Sequence, residues 1–189
     1  MTDVADRYRR LAADVTTTIE QVPPARWSSP SPCDGWTARD VVRHLVDAHG
    51  IFQGMVGRTL EPAPSVDDDV RAAWAAARDQ MQADLDDPER AGQVYDGYFG
   101  RTTFGAAVDR FLGLDLLVHR WDLARATGLD ERLDPDDVPG IWERARGFGD
   151  AIRTQGVCGP ALEPPADADE QTRVLAFLGR RAWADSPVR

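Results

Sequence analysis

The chain has 189 residues, 42% of them hydrophobic, and a formal net charge of -10, values typical of one globular domain over residues 1–189. Its 22 basic residues, all arginine, are interleaved with 32 acidic ones, which argues against nucleic acid as a partner because phosphate binding depends on clustered cations. No apolar run reaches the roughly 20 residues that a membrane-spanning helix needs. With no export signal at the amino terminus, we expect a cytoplasmic protein that has no membrane partner.

Helical periodicity dominates the start of the chain. Apolar residues at spacings of three and four predict a first helix over about 4–22, which ends at Pro23. Thr37, followed three positions later by Asp40, has the pattern of a capping box. It predicts a second helix over about 38–56.

The remaining elements are also predicted to be mainly helical. A third apolar stripe predicts a helix over about 70–85, and weak alternation over 93–99 indicates a short extended segment. A fourth helix is predicted over about 103–127. Two further helices, over about 135–154 and 169–183, are joined by a loop rich in Gly, Pro and Ala. Four long amphipathic helices with short links favour a helical bundle.

His44 lies on the apolar face of the second helix, where an aliphatic residue is usual. At 100° per residue, its neighbours on that face are Val41, Ala48, Ile51 and Met55. We therefore expect the imidazole to point into the bundle. It is either a core histidine bonded to a backbone carbonyl or a metal ligand.

Carboxylates interrupt the apolar face of the fourth helix. Asp115 and Asp122 fall on one stripe, and His119 follows Asp115 by one turn. A buried carboxylate without a partner is costly, so a cation is expected nearby. That cation is either an imidazolium, helped by Arg43 or Arg120, or a metal ion shared by Asp115 and His119 at positions i and i+4.

A third metal ligand would come from His44 on a facing helix. Two imidazoles and one carboxylate leave a coordination position for water or substrate, which is the arrangement of a catalytic site. We interpret Asp122 as a carboxylate that orients one imidazole through a hydrogen bond, and not as a ligand.

Two tracts, CDGWTARDVVRHL and LDLLVHRWDLARATG, resemble the DinB-like superfamily. Within it they are most similar to the branch containing the metal-binding domain of mycothiol-dependent maleylpyruvate isomerase. This resemblance implies an all-α fold, a DinB-like four-helix bundle with additional C-terminal helices. It also implies a divalent metal ion, zinc first and nickel second, held by His44, Asp115 and His119. The isomerase branch usually carries glutamate at the position of Asp115.

The resemblance implies a function as well. We expect a metal-dependent enzyme that uses a small thiol, with mycothiol as the candidate, for transfer, isomerisation or hydrolysis of a small molecule. Maleylpyruvate is not carried over as the substrate. The alternative is a non-catalytic bundle in which the ion is structural or regulatory. A homodimer is also expected, since related bundles often pair.

The other chemically distinctive residues are given structural roles. Cys33 and Cys158 form no CxxC motif and are expected to be buried free thiols. A cysteine hydrolase would require Cys33 at a pocket beside His49 or His44. We place His49 at the rim or surface, about 140° around the helix from His44. Trp36 and Trp121 are expected to be packing residues.

Overall fold

The computed structural model describes residues 3–97, 100–149, 153 and 158–183. The chain divides into two compact units, Met1–Glu131 and Arg132–Arg189. The described residues are predominantly helical, with one small two-stranded sheet, so the predicted all-α class is confirmed. The expectation of a single domain stays a prediction.

Four long helices form the body of the first unit. They are α1 (Val4–Gln21), α2 (Ala38–Met55), α3 (Val70–Asp86) and α6 (Gly113–Thr127). Both α1 and α2 pack against α3 and against α6, so each helix has two neighbours around a common core. This is the four-helix bundle that the sequence predicts.

Shorter elements connect α3 to α6. In chain order they are α4 (Pro88–Ala91), β1 (Val94–Gly97), β2 (Gly100–Thr103), α5 (Phe104–Ala107) and a π-helical turn (Val108–Leu112). The strands pair antiparallel, with Val94 opposite Thr103. An extended segment was therefore predicted correctly for the described part of 93–99, and the predicted fourth helix consists of α5, the π turn and α6.

Side-chain and backbone caps fix the ends of the two helices that carry the candidate site. Thr37 Oγ1 accepts a hydrogen bond from the Asp40 amide, and Asp40 Oδ2 accepts one from the Thr37 amide, which confirms the predicted capping box. The C-terminal end of α6 is capped by Gly128. Gly128 has the left-handed conformation, with φ 76°, which glycine adopts without steric cost.

The buried face of α2 is rotated relative to the predicted one. Its core-facing apolar residues include Val41, Leu45, Ala48 and Phe52. Ile51 and Met55, which were predicted to share the inner stripe with His44, are 60% and 47% exposed. The His44 side chain is itself 33% exposed. His44 therefore lies at the edge of the core and not in the middle of its apolar stripe.

The second unit contains α7 (Val138–Gly147) and α8 (Glu170–Phe177). The Trp142 and Phe177 rings pack with centroids 5.4 Å apart, and Asp169 caps α8 by accepting from the Thr172 amide. The second helix is shorter than the predicted 169–183. Of the first prediction, 135–154, the structure has helix at Val138–Gly147 and at Arg153, and residues 150–152 and 154 lie outside the described residues. None of the described helices is long and apolar enough to cross a bilayer.

Candidate metal centre

The side chains of His44, Asp115 and His119 converge between α2 and α6. Their potential ligand atoms all lie within 4.8 Å of one another, and His44 Nε2 is 3.4 Å from Asp115 Oδ2. Bonds of about 2.1 Å in a tetrahedral arrangement separate two ligand atoms by about 3.4 Å. The spacing of these donors, two imidazoles and a carboxylate, therefore fits a small divalent ion.

Helix geometry explains why these three residues meet. Asp115 and His119 are one turn apart on α6, so their side chains project from the same face. His44 comes from α2, which packs against α6, and its ring centroid is 4.5 Å from that of His119. Because both helices also belong to the bundle core, the backbone holds the donors together independently of any ligand.

Asp122 lies behind His119. Its Oδ2 is 2.9 Å from His119 Nδ1, and its side chain is completely buried. A carboxylate at Nδ1 favours the tautomer with the proton on that nitrogen, which leaves the Nε2 lone pair for an ion. The geometry is the one expected for the orienting role predicted for Asp122, and that role stays a prediction.

Cys33 contributes a contact that sequence reasoning missed. Its Sγ donates to Asp122 Oδ2 over 3.4 Å; the cysteine forms no disulfide and is partly buried, not fully buried as predicted. Cys33, His119 and Asp122 form a second group whose potential ligand atoms are within 4.8 Å. The thiol therefore lies beside this carboxylate and this imidazole, and no spacing in the sequence pairs position 33 with 122.

The indole of Trp36 lies against both imidazoles. Its ring centroid is 5.1 Å from that of His44 and 5.9 Å from that of His119, the latter pair stacked at 25°. Trp36 immediately precedes Thr37, the N-cap residue of α2, so the capping box fixes the backbone that positions the indole. Trp121, by contrast, is fully buried, as expected of a packing residue.

The three proposed ligands differ in exposure. The His119 side chain is 9% exposed, whereas those of His44 and Asp115 are 33% and 31% exposed. One side of the cluster is therefore embedded beside Asp122, and the other reaches solvent. Arg43, one of the two arginines considered as partners for Asp115, pairs with Asp67 at 2.8 Å.

His49 is buried, so its predicted place at the rim or surface is wrong. Its Nδ1 donates to the Leu45 carbonyl over 2.6 Å, and Nε2 is 2.8 Å from the Tyr8 hydroxyl. Burial lowers the pKa of His49 to about 4, so the imidazole is neutral at pH 7. The role of a core histidine bonded to a backbone carbonyl, which the sequence leaves open for His44, therefore belongs to His49.

A family model described as the mycothiol maleylpyruvate isomerase N-terminal domain matches residues 8–124. The match spans more than half of the chain and includes the first tract that suggested the resemblance and most of the second. The chain belongs to this family. All four residues of the predicted centre, His44, Asp115, His119 and Asp122, lie inside the region matched to the isomerase N-terminal domain.

Two curated proteins of Mycobacterium tuberculosis are similar to this member of the isomerase N-terminal domain family. They are the uncharacterized protein MT0763 of strain CDC 1551 / Oshkosh and the uncharacterized protein Rv0738 of strain H37Rv. Each is 32% identical over 170 residues, covering 80% of this chain and 83% of the relative. No solved structure matches the chain significantly.

Proposed function

We propose that the protein binds a divalent metal ion, zinc or nickel, through His44, Asp115 and His119 and uses it in thiol-dependent chemistry on a small molecule. The observation that carries the proposal is the convergence of these three donors within 4.8 Å. Family membership supports a thiol partner, with mycothiol as the first candidate. The reaction class would be transfer, isomerisation or hydrolysis.

A divalent ion with a free coordination position lowers the pKa of a bound thiol or water and so supplies a nucleophile at neutral pH. His44 and Asp115 are the partly exposed members of the set, so a substrate would approach from their side. Asp122 would hold the Nδ1 proton of His119 and keep Nε2 directed at the ion. Trp36 would exclude water from one side of both imidazoles.

A non-catalytic role is the second candidate. The donors come from α2 and α6, so an ion bound between them would join two helices of the bundle whether or not any reaction took place. The non-catalytic role differs from the thiol-dependent function in one measurable respect. A purely structural ion would not accept an added thiol as a ligand.

The deciding experiment begins with elemental analysis of protein purified without added metal. Cobalt-substituted protein is then titrated with mycothiol and with simpler thiols. We expect a sulfur-to-cobalt charge-transfer band that saturates with thiol and is absent in Asp115→Asn. Glu20→Gln, which changes an exposed carboxylate on α1, is the matched control and should keep the band. Cobalt uptake without a thiol-dependent band would favour the structural role.

A further inference from the structure

An exposed apolar strip runs along α2 in line with the proposed metal ligand His44. Ile51 and Met55 are 60% and 47% exposed. At 100° per residue, both positions lie within about 20° of His44 around the helix axis. They stand about 10 Å and 16 Å further along that axis, at 1.5 Å per residue. An exposed helix face usually carries polar side chains. This line of exposed apolar residues is therefore a candidate binding surface.

The neighbouring helix supplies a second wall. At one end of α2, Trp36 stacks on His119; at the other, the Arg58 guanidinium lies 4.7 Å over the Phe104 ring. The chain of α5 and α6 therefore runs antiparallel to α2. The direction from His44 to Ile51 on α2 therefore corresponds to the direction from Asp115 to Phe111 on the neighbouring chain. Phe111 lies about one turn before Asp115, and its side chain is partly exposed.

The far end of the strip meets the β-hairpin. The Tyr95 hydroxyl, on β1, is 3.5 Å from Met55 Sδ. The strip therefore has a proposed metal ligand at one end, aliphatic side chains along its length and an aromatic side chain at the other. Asp47, exposed on α2 one turn before Ile51, places a negative charge beside it.

We propose that this strip binds the apolar tail of a substrate whose head group occupies the metal centre. The proposal rests on the function proposed above and adds the substrate class: an alkyl or aryl compound, uncharged or cationic along its tail, with a metal-binding group at one end. Exposed apolar side chains that continue from a polar centre are typical of a ligand site. The collinearity of Ile51 and Met55 with His44 is the observation that favours a ligand over another occupant.

A homologous series of hydroxamates tests the strip, because the head group chelates metal and only the tail changes. Acetyl, butyryl, hexanoyl and octanoyl hydroxamate are titrated calorimetrically into zinc-loaded protein. Burying one methylene group contributes up to about 0.8 kcal/mol, so we expect the Kd to fall by roughly 2- to 4-fold per added methylene. A Kd that is constant along the series overturns the proposal.

Two exposed-residue variants locate the effect. Ile51→Ser should reduce the gain per methylene, whereas Val94→Ser should leave it unchanged; Val94 is 48% exposed and neighbours Tyr95 on β1, so its side chain points to the opposite face of the strand. An equal gain in wild type and Ile51→Ser overturns the proposal. A change of sedimentation coefficient in Ile51→Ser also overturns it, because the strip would then be a contact between copies of the chain.

Zinc content, measured first on each sample, separates this inference from the function on which it rests. Failure to retain zinc would reject the metal centre and the strip together. Retained zinc with no binding of any hydroxamate, or with tight binding of acetohydroxamate and no dependence on tail length, would reject the strip alone.

Discussion

His119 lies between the two aspartates of α6 in the proposed centre: Asp122 is beside its Nδ1, and a carboxylate oxygen of Asp115 is within 4.8 Å of its potential ligand atom. Nδ1 is 2.9 Å from the buried Asp122, and the ring packs against His44 at 4.5 Å between centroids. A ligand carboxylate and an orienting carboxylate should respond differently to loss of charge. The two aspartates of α6 allow that comparison on a single helix.

We expect Asp115→Asn to abolish metal retention and Asp122→Asn to weaken it by roughly 10- to 100-fold without emptying the site. The reason is that Asp115 would contribute a bond to the ion, whereas Asp122 would act only through the imidazole of His119. Competition with a fluorescent zinc chelator measures both affinities. Equal losses in the two variants would contradict the assignment of their roles.

A pH dependence of stability is expected from His49, because burial lowers its pKa from the ordinary value of about 6.5 to about 4. Between these values the unfolded chain binds a proton that the native chain does not, so the free energy of unfolding decreases as the pH falls. The full effect is about 3 kcal/mol, reached below the native pKa. Urea denaturation at pH 7, 6, 5 and 4 in the presence of chelator measures it.

The control for this prediction is a double variant, Tyr8→Phe with His49→Leu, which removes both partners of the buried hydrogen bond and leaves no donor or acceptor of the pair unsatisfied. Its stability should depend less on pH over the same window. If wild type and double variant lose stability in parallel, other titrating groups are responsible and the assignment to His49 is wrong.

The burial of His49 shows what the periodicity of one helix can and cannot predict. The sequence indicates correctly that α2 has one apolar face. An apolar stripe is wide, however, and the periodicity places its centre near His44. In the structure the centre is shifted towards Leu45, Ala48 and Phe52, which brings His49 into the core. Only the packing of α3 and α6 against α2 fixes that rotation.

At the level of the helix, the capping box of α2 is expected to stabilise the segment that places Trp36 beside the imidazoles. Thr37→Ala removes one of the two reciprocal bonds and should lower the free energy of unfolding by about 1 kcal/mol. Thr17→Ala is the matched control because Thr17 is exposed within α1, where alanine is a better helix former. Urea denaturation of both variants checks the prediction, and a loss of the same size in each would contradict it.

The helix that carries Asp115 departs from its sequence-based prediction at one turn. A constant period of 3.6 residues places Val108, Phe111 and Asp115 on one inner stripe. In the structure Leu112 is fully buried and Phe111 is partly exposed, because Val108–Leu112 form a π turn, which holds more residues than an α turn. No residue type in that segment marks the wider turn, so periodicity alone does not reveal it.

At the level of the whole molecule, the bundle and the convergence of the site follow from features that the sequence contains. The four long helices are marked by apolar spacing, and Asp115 with His119 is marked by a spacing of one turn. The participation of His44 was inferred from its place on the apolar face of a facing helix, and the family resemblance implies the same ligand. The last helix, Glu170–Phe177, ends before the predicted residue 183, because Gly179 takes the left-handed conformation with φ 81°, which an α-helix does not contain.

Bound metal is expected to slow proteolysis of the first unit, Met1–Glu131, which contains the proposed ligands. An ion that binds the native state alone stabilises it by about 2.7 kcal/mol at 100 times its Kd, so the open population that trypsin attacks falls by about 100-fold when opening is fast. Digestion rates with and without zinc measure the effect. His44→Ala should digest at the same rate in both, and zinc protection of that variant would place the stabilising ion elsewhere.

His44 and Asp115 are separated by 71 positions in the chain, so an unfolded molecule cannot present the complete ligand set. Every molecule that loses its ion would therefore spend more time open to cellular proteases, and a loss of stability of this size changes protein abundance. Under the proposed function, the cellular lifetime of the protein would follow the supply of its metal. Pulse-chase measurement in zinc-replete and zinc-depleted bacteria should show a shorter half-life on depletion for the wild type, but equal half-lives for His44→Ala.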